Sequence, residues 1–161
     1  MQIKEVMTAN PTCCIPSDTA QTAAIIMRDE DTGIVPIVEA KGNRQLVGVV
    51  TDRDLCVGLL ANTSSADVLN APIEQCMTTK VISCKADEDV NAVLDAMQEN
   101  QIRRIVVVDN DNNIQGIVSM ADLMNRGKVE EGATVETLKS ISKRTGESSK
   151  PRAESAASAN E

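Results

Sequence analysis

The sequence predicts an α+β fold made of two copies of one β-α-β-β-α unit. Three observations carry that reading: an internal repeat, paired β-branched runs joined by polar turns, and helical spacing of apolar residues ahead of each pair. At 161 residues with 42% hydrophobic content, the chain has room for one ordinary domain or two small units and enough apolar material for a core.

The repeat is read directly. "IKEVMT" at residues 3–8 falls on "IEQCMT" at 73–78, so Met7 lies on Met77 and Cys14 on Cys84; Met27 lies on Met97, and "VPIVE" at 35–39 on "IVVVD" at 105–109. Past the turns "AKGNRQ" and "NDNN" the register tightens by two residues, and Gly48 falls on Gly116. Polar turns are where a repeat tolerates a length change.

Each element has a local reason. Short first strands are predicted near residues 12–15 and 81–84. Ser17-Asp18 and Asp87 are N-cap candidates for helices that run to about Arg28 and Glu99. Val90, Val93, Leu94 and Met97 give the second helix one apolar face. "IVPIV" with "LVGVVT", and "IVVVD" with "IQGIVS", are each two strands joined by a turn rich in Gly, Asn, Lys and Asp. Neither unit of about 60 residues buries much surface alone, so two packed together are expected.

The expected boundaries are 1–60 for the first repeat, 61–72 for a linker in which Ser65 or Asp67 starts a short helical turn, and 73–126 for the second repeat. A C-terminal helix within 127–145, running from a Thr134 cap to about Lys143, precedes a tail at 146–161. That tail has no large apolar residue to offset its ordering entropy and is expected to be disordered.

Composition excludes several functions. The chain has no Phe, Tyr or Trp and a net charge of -8, which speaks against nucleic-acid binding. The absence of His removes Ser-His-Asp and Cys-His catalysis. Cys13, Cys14, Cys56, Cys76 and Cys84 form an odd set without C-x-x-C spacing, so neither a metal site nor a disulfide framework is expected, and most are read as buried small hydrophobes. Met7, Met27, Met77 and Met97 are read as core filler. No signal-like or membrane-spanning segment stands out, and a cytoplasmic protein is expected.

The chemistry concentrates at "GVVTDRD", residues 48–54, and "GIVSMAD", residues 116–122. Two readings stand. Thr51 and Ser119 can cap the following helices with Asp54 and Asp122 reaching back, as capping boxes. Alternatively, a carboxylate beside a hydroxyl suits the paired hydroxyls of a ribose, and a glycine three residues earlier lets something approach the backbone closely.

This doubled pattern of Met-Thr, strand, helix, "G-h-V-P-h-V" and "G-h-h-T/S-x-x-D" (h, apolar) resembles a tandem pair of cystathionine-β-synthase (CBS) domains, a Bateman module, over roughly residues 1 to 126. The resemblance implies two units packed through their sheets with pseudo-two-fold symmetry, clefts between them that take AMP, ADP, ATP or S-adenosylmethionine, and further pairing into homodimers. It assigns the ribose to Asp54 and Asp122, and hydroxyl contacts to Thr51 and Ser119. The base would lie among Thr12, Cys13, Ile15, Val81, Ile82 and Ser83, with Ile34, Val35, Pro36, Arg104, Ile105 and Val106 as the other wall. The family's phosphate-binding Arg is matched in the second repeat only, by Arg103 or Arg104, and there Val106 replaces its Pro; the first repeat keeps Pro36 and adds Arg53. One phosphate-bearing site, using Arg103 or Arg104 with Asp54, is therefore expected, the second cleft holding nucleoside only or nothing.

The leading function is a stand-alone regulatory module that binds an adenine nucleotide as ligand, with no catalytic cofactor or catalytic residue, and signals occupancy to a protein target. An S-adenosylmethionine sensor and a ligand-free interaction module are the alternatives. An enzyme is not expected, because the carboxylates serve as caps or diol ligands instead of a paired acid and base.

Overall fold

The computed structural model describes residues 1–64, 66–126 and 131–142. Strands β2 (Ile34–Val38) and β3 (Leu46–Thr51) form one antiparallel hairpin, and β5 (Arg104–Val108) and β6 (Ile114–Ser119) form its counterpart. Each hairpin carries a bulge one residue before the end of its first strand, at Ile37/Val38 and Val107/Val108. Helices α1 (Ala20–Asp29) and α2 (Val90–Asn100) precede the hairpins, and α3 (Met120–Arg126) and α4 (Glu131–Ser142) close the chain.

The sheets are completed by exchange between repeats. Strand β1 (Thr8–Ala9), from the start of the first repeat, pairs antiparallel with β6 of the second, and β4 (Ser83–Cys84) pairs parallel with β5, giving the order β1-β6-β5-β4. The first repeat mirrors this in reduced form: Thr78, from the start of the second repeat, bridges Val49 with hydrogen bonds of 2.9 and 2.8 Å, and Cys14 bridges Ile37. Because Val49 turns both its backbone groups toward Thr78, the Pro36 opposite it withholds no donor from the hairpin.

The helical turns ahead of these strands cross as well. The Ile3 and Lys4 N–H groups donate to Glu88 and Ala86, and the equivalent Ile73 and Glu74 N–H groups donate to Asp18 and Pro16. Ile3 and Val6 are consequently buried in the core of the second repeat, with Val93, Met97, Val107 and Leu123. Ile73 is buried in the core of the first, with Ala23, Val35, Ile37 and Val50. Full burial of each Ile contributes about 1.5–3 kcal/mol. A third cluster joins the two sheets face to face through Ile34, Val38, Leu46 and Val49 on one side and Val106, Val108, Ile114 and Ile117 on the other.

Some local expectations are corrected. Thr19 and Asp89, not Ser17-Asp18 and Asp87, cap α1 and α2. The Asp18 carboxylate accepts the Ile15 N–H at 2.9 Å and Glu88 accepts the Lys85 N–H at 2.7 Å, so both acids close the preceding turn and the cap moves on. The turn Val68–Asn70 follows Asp67, whereas Ser65 lies outside the described residues. Helix α4 begins at Glu131, so Thr134 falls inside it instead of capping it; Glu and Ala at 131 and 133 favour the longer helix. Ile141 is buried against the second repeat's core, with Leu138 packed beside it. Lys143 and the tail lie outside the described residues. Met97 is buried as expected, while Met7, Met27 and Met77 are half-buried against the cores.

The crossing strands leave no room at two positions. A Cβ on Gly48 would meet the Thr78 carbonyl oxygen at 2.9 Å; on Gly116 it would meet the Thr8 carbonyl oxygen at 2.9 Å and the Met7 sulphur at 2.7 Å. Gly48→Ala and Gly116→Ala are each expected to cost about 1–3 kcal/mol and to lower Tm by several degrees in thermal unfolding followed by circular dichroism. Gly132→Ala, with nothing within 4 Å in helix α4, is expected to be neutral or to stabilise by up to about 1 kcal/mol.

Candidate functional site

Both capping boxes form. Asp54 Oδ2 accepts the Thr51 N–H at 2.9 Å and its hydroxyl at 2.8 Å, while Thr51 Oγ1 accepts the Asp54 N–H at 3.1 Å. Asp122 and Ser119 repeat this at 2.9, 2.6 and 3.1 Å. Each arrangement satisfies orphan donors of the first helical turn. It occupies one carboxylate oxygen; among the described residues, Oδ1 of each Asp accepts no hydrogen bond. The helices that follow differ: α3 is regular, whereas Asp54–Leu59 winds as a π-helix.

A cleft of about 710 Å³ opens beside the second of these boxes. Residues 8–11 and 30–33 of the first repeat form one side. Arg103, Arg104, Ile117, residues 119–122, Met124 and Leu138 form the other. Its volume suits a nucleoside-sized ligand. Ile117, Met124 and Leu138 supply aliphatic surface, Arg103 and Arg104 bring positive charge, and Glu30, Asp31 and Asp122 bring negative charge. Asn10 and Asp31 hold left-handed backbone, φ 51° and 50°, which their short polar side chains tolerate.

The structure thus brings together four of the sequence-predicted residues, Ser119, Asp122, Arg103 and Arg104, and joins the arginines to Asp122 instead of Asp54. Thr51, Arg53 and Asp54 stand outside this lining, at the end of β3. Val35 and Ile105 differ from the expectation: both side chains are buried in the cores and neither lines the cleft. Ile34, Val106, Cys13, Ile15 and Val81 belong to the packing between sheets, and Ile82 packs against the second core. Pro36 is buried with its carbonyl accepting the Cys14 N–H, Thr12 donates its hydroxyl to Glu30, and Ser83 is exposed in β4. Sequence reasoning missed residues 8–11 and 30–33, Ile117, Met120, Ala121, Met124 and Leu138. The left-handed Asn10-Pro11 and Asp31-Thr32-Gly33 turns were the signal available for the first two groups. A second groove, about 290 Å³ between α1 and the turn Val68–Asn70, is mainly apolar.

The glycines of the two motifs also receive their explanation here. What approaches Gly48 and Gly116 closely is the Met-Thr segment of the opposite repeat, not a ligand.

The exchanged sheets define a paired α+β module with a cleft between its halves, and comparison with known proteins identifies its class. The CBS domain family profile matches residues 3–60 and 73–128, so the chain belongs to the CBS-domain family and carries a tandem pair of those domains. Protein YlbB of Bacillus subtilis is 38% identical over 122 residues, 76% of this chain and 79% of that protein. Among solved structures, Hypoxic Response Protein I with two coordinated zinc ions is 28% identical with a TM-score of 0.67, over 78% of this chain and 98% of that one. The CBS domain pair of protein MJ0100, in complex with 5′-methylthioadenosine and S-adenosyl-L-methionine, is 27% identical with a TM-score of 0.67, over 77% and 93%. No helix among the described residues is long and apolar enough to cross a membrane.

All five cysteines are free. Cys14 and Cys84 are buried, and burial first, then Asp18 and Glu88 respectively, pushes their thiols up to about 12. Burial also raises Cys13, with Arg44 opposing, and Cys76, with Asp54 adding to the rise. Only Cys56 is exposed, so the expectation of buried cysteines holds for two of five and half-holds for Cys13 and Cys76. A thiol reagent at pH 8 is expected to modify Cys56 first and to reach Cys14 and Cys84 only on unfolding, read by mass spectrometry of the labelled peptides. Rapid native labelling of Cys84 would contradict this packing.

Proposed function

We propose that the cleft binds an adenosine-containing small molecule and that the protein acts as a regulatory ligand-binding module without catalytic chemistry. One observation carries the reading: a single cavity of nucleoside size joins the Asp122 carboxylate, a hydroxyl, two arginines and an aliphatic wall, contributed by both repeats. Asp122 would accept from the ribose hydroxyls. Arg103 and Arg104 would meet the anionic end, the phosphate of AMP, ADP or ATP or the carboxylate of S-adenosylmethionine. The adenine would lie between Ile117, Met124 and Leu138, since no aromatic side chain exists to stack on it. The ligands of the MJ0100 pair, an adenosine thioether and its sulfonium relative, support this class.

Because the lining comes from both repeats and from α4, occupancy would alter how these parts sit together, and a protein target would read that change. Assembly as a homodimer and a cytoplasmic location belong to the same proposal.

Isothermal titration with AMP, ADP, ATP and S-adenosylmethionine tests it. Asp122→Ala and Asp54→Ala remove equivalent caps and are each expected to cost about 1 kcal/mol of stability. Only Asp122→Ala is expected to weaken binding tenfold or more. Saturable binding that depends on Asp54 alone would move the site to the other motif, and binding to none of these ligands would leave an interaction module with empty clefts.

A further inference from the structure

The two repeats meet at Gly33, where an asymmetry between them places an acid beside an arginine. The Asp52 N–H donates to the Gly33 carbonyl at 3.1 Å, and its repeat counterpart, the Met120 N–H, donates to Arg103 at 2.9 Å. The backbone is thus the same, but an acid in one repeat stands where the other has methionine. Asp52, an exposed residue, accepts the adjacent Arg53 N–H on Oδ1 at 2.8 Å, and among the described residues its Oδ2 makes no hydrogen bond. A Cβ on Gly33 would lie 2.6 Å from Asp52 Oδ2 and 2.6 Å from an Arg104 terminal nitrogen, so the absence of a side chain there lets the two charged groups face each other across Gly33, although they form no direct ion pair. Arg104 is half-buried, lines the cleft and, among the described residues, its guanidinium makes no hydrogen bond.

We infer that Asp52 is a specificity-determining residue: it stands as the resident counter-charge to Arg104, competes with the anionic end of a ligand for that guanidinium, and so disfavours multiply charged nucleotides relative to neutral adenosine derivatives. Asp52 is not part of the cleft lining and acts on it only through the charge of Arg104. Glu30 and Asp31, on the same lip as Gly33, add negative charge in the same sense. The inference rests on the adenosine reading for its biological ligand, but the electrostatic competition does not need adenosine.

The test uses Asp52→Asn, which keeps shape and removes charge, with Asp87→Asn, an exposed acid outside the cleft, as net-charge control. Titration calorimetry with ADP and with neutral 5′-methylthioadenosine is paired with thermal unfolding in inorganic pyrophosphate, and circular dichroism first confirms that each variant folds. Asp52→Asn is expected to tighten ADP roughly three- to tenfold while changing 5′-methylthioadenosine by less than twofold, and Asp87→Asn to do neither. Equal changes for both ligands, no change for either, or the same gain from Asp87→Asn would overturn the assignment. If no adenosine compound binds any variant, the adenosine reading fails and pyrophosphate decides: stronger stabilisation of Asp52→Asn than of wild type upholds the role of Asp52, and equal stabilisation, including none, overturns it.

Discussion

The close passage of each repeat's Met-Thr segment over a glycine of the other repeat is the constraint on which the rest of the structure depends. Thr8 crosses at Gly116 and Thr78 at Gly48, with carbonyl oxygens where a side chain would have to begin. That crossing puts Ile3 and Val6 into the second core and Ile73 into the first, so each core lacks an essential member until both repeats are present. It also brings residues 8–11 into the same cleft lining as Ser119 and Asp122, which turns the end of one sheet into a cleft shared by two repeats. Packing and site are consequences of the same exchange.

Electrostatics then distinguishes two halves that share a backbone. Both repeats use a hydroxyl and a carboxylate to close the first turn after the hairpin, an arrangement that is structural in its own right and leaves one carboxylate oxygen per box without a hydrogen bond among the described residues. The arginines at the start of β5 have no counterpart in Gly33 and Ile34, and Asp52 has none in Met120. A pair of domains alike in fold is therefore unlike in charge. On a chain of net charge -8, the shared cleft sets two arginines against the carboxylates of Glu30, Asp31 and Asp122, a local arrangement that the overall composition conceals.

Much of this was legible in the sequence because it is written in local patterns. The repeat, the hairpins with their different turn lengths, the helical faces and the Thr51/Asp54 and Ser119/Asp122 boxes all follow from residues close together in the chain. The exchange did not follow, because it is a relation between residues about 30 and 110 positions apart whose only trace is a glycine in a strand. Reading Gly48 and Gly116 as a place of close approach was sound, but nothing in one repeat says whether ligand or backbone arrives there. The same blindness placed Arg103 and Arg104 with Asp54, since which motif shares a cleft with which strand depends on the crossing. It also assigned Val35 and Ile105 to the ligand, although alternation along a strand turns every second side chain into the core.

The shared cleft is tested most directly by hydrogen exchange with and without a saturating adenosine ligand. The crossing predicts slowed exchange in peptides covering residues 8–11 and 30–33 of the first repeat together with 103–106 and 117–124 of the second, while 51–54 is unaffected. Slowing confined to one repeat, or centred on 51–54, would contradict a single site built from both.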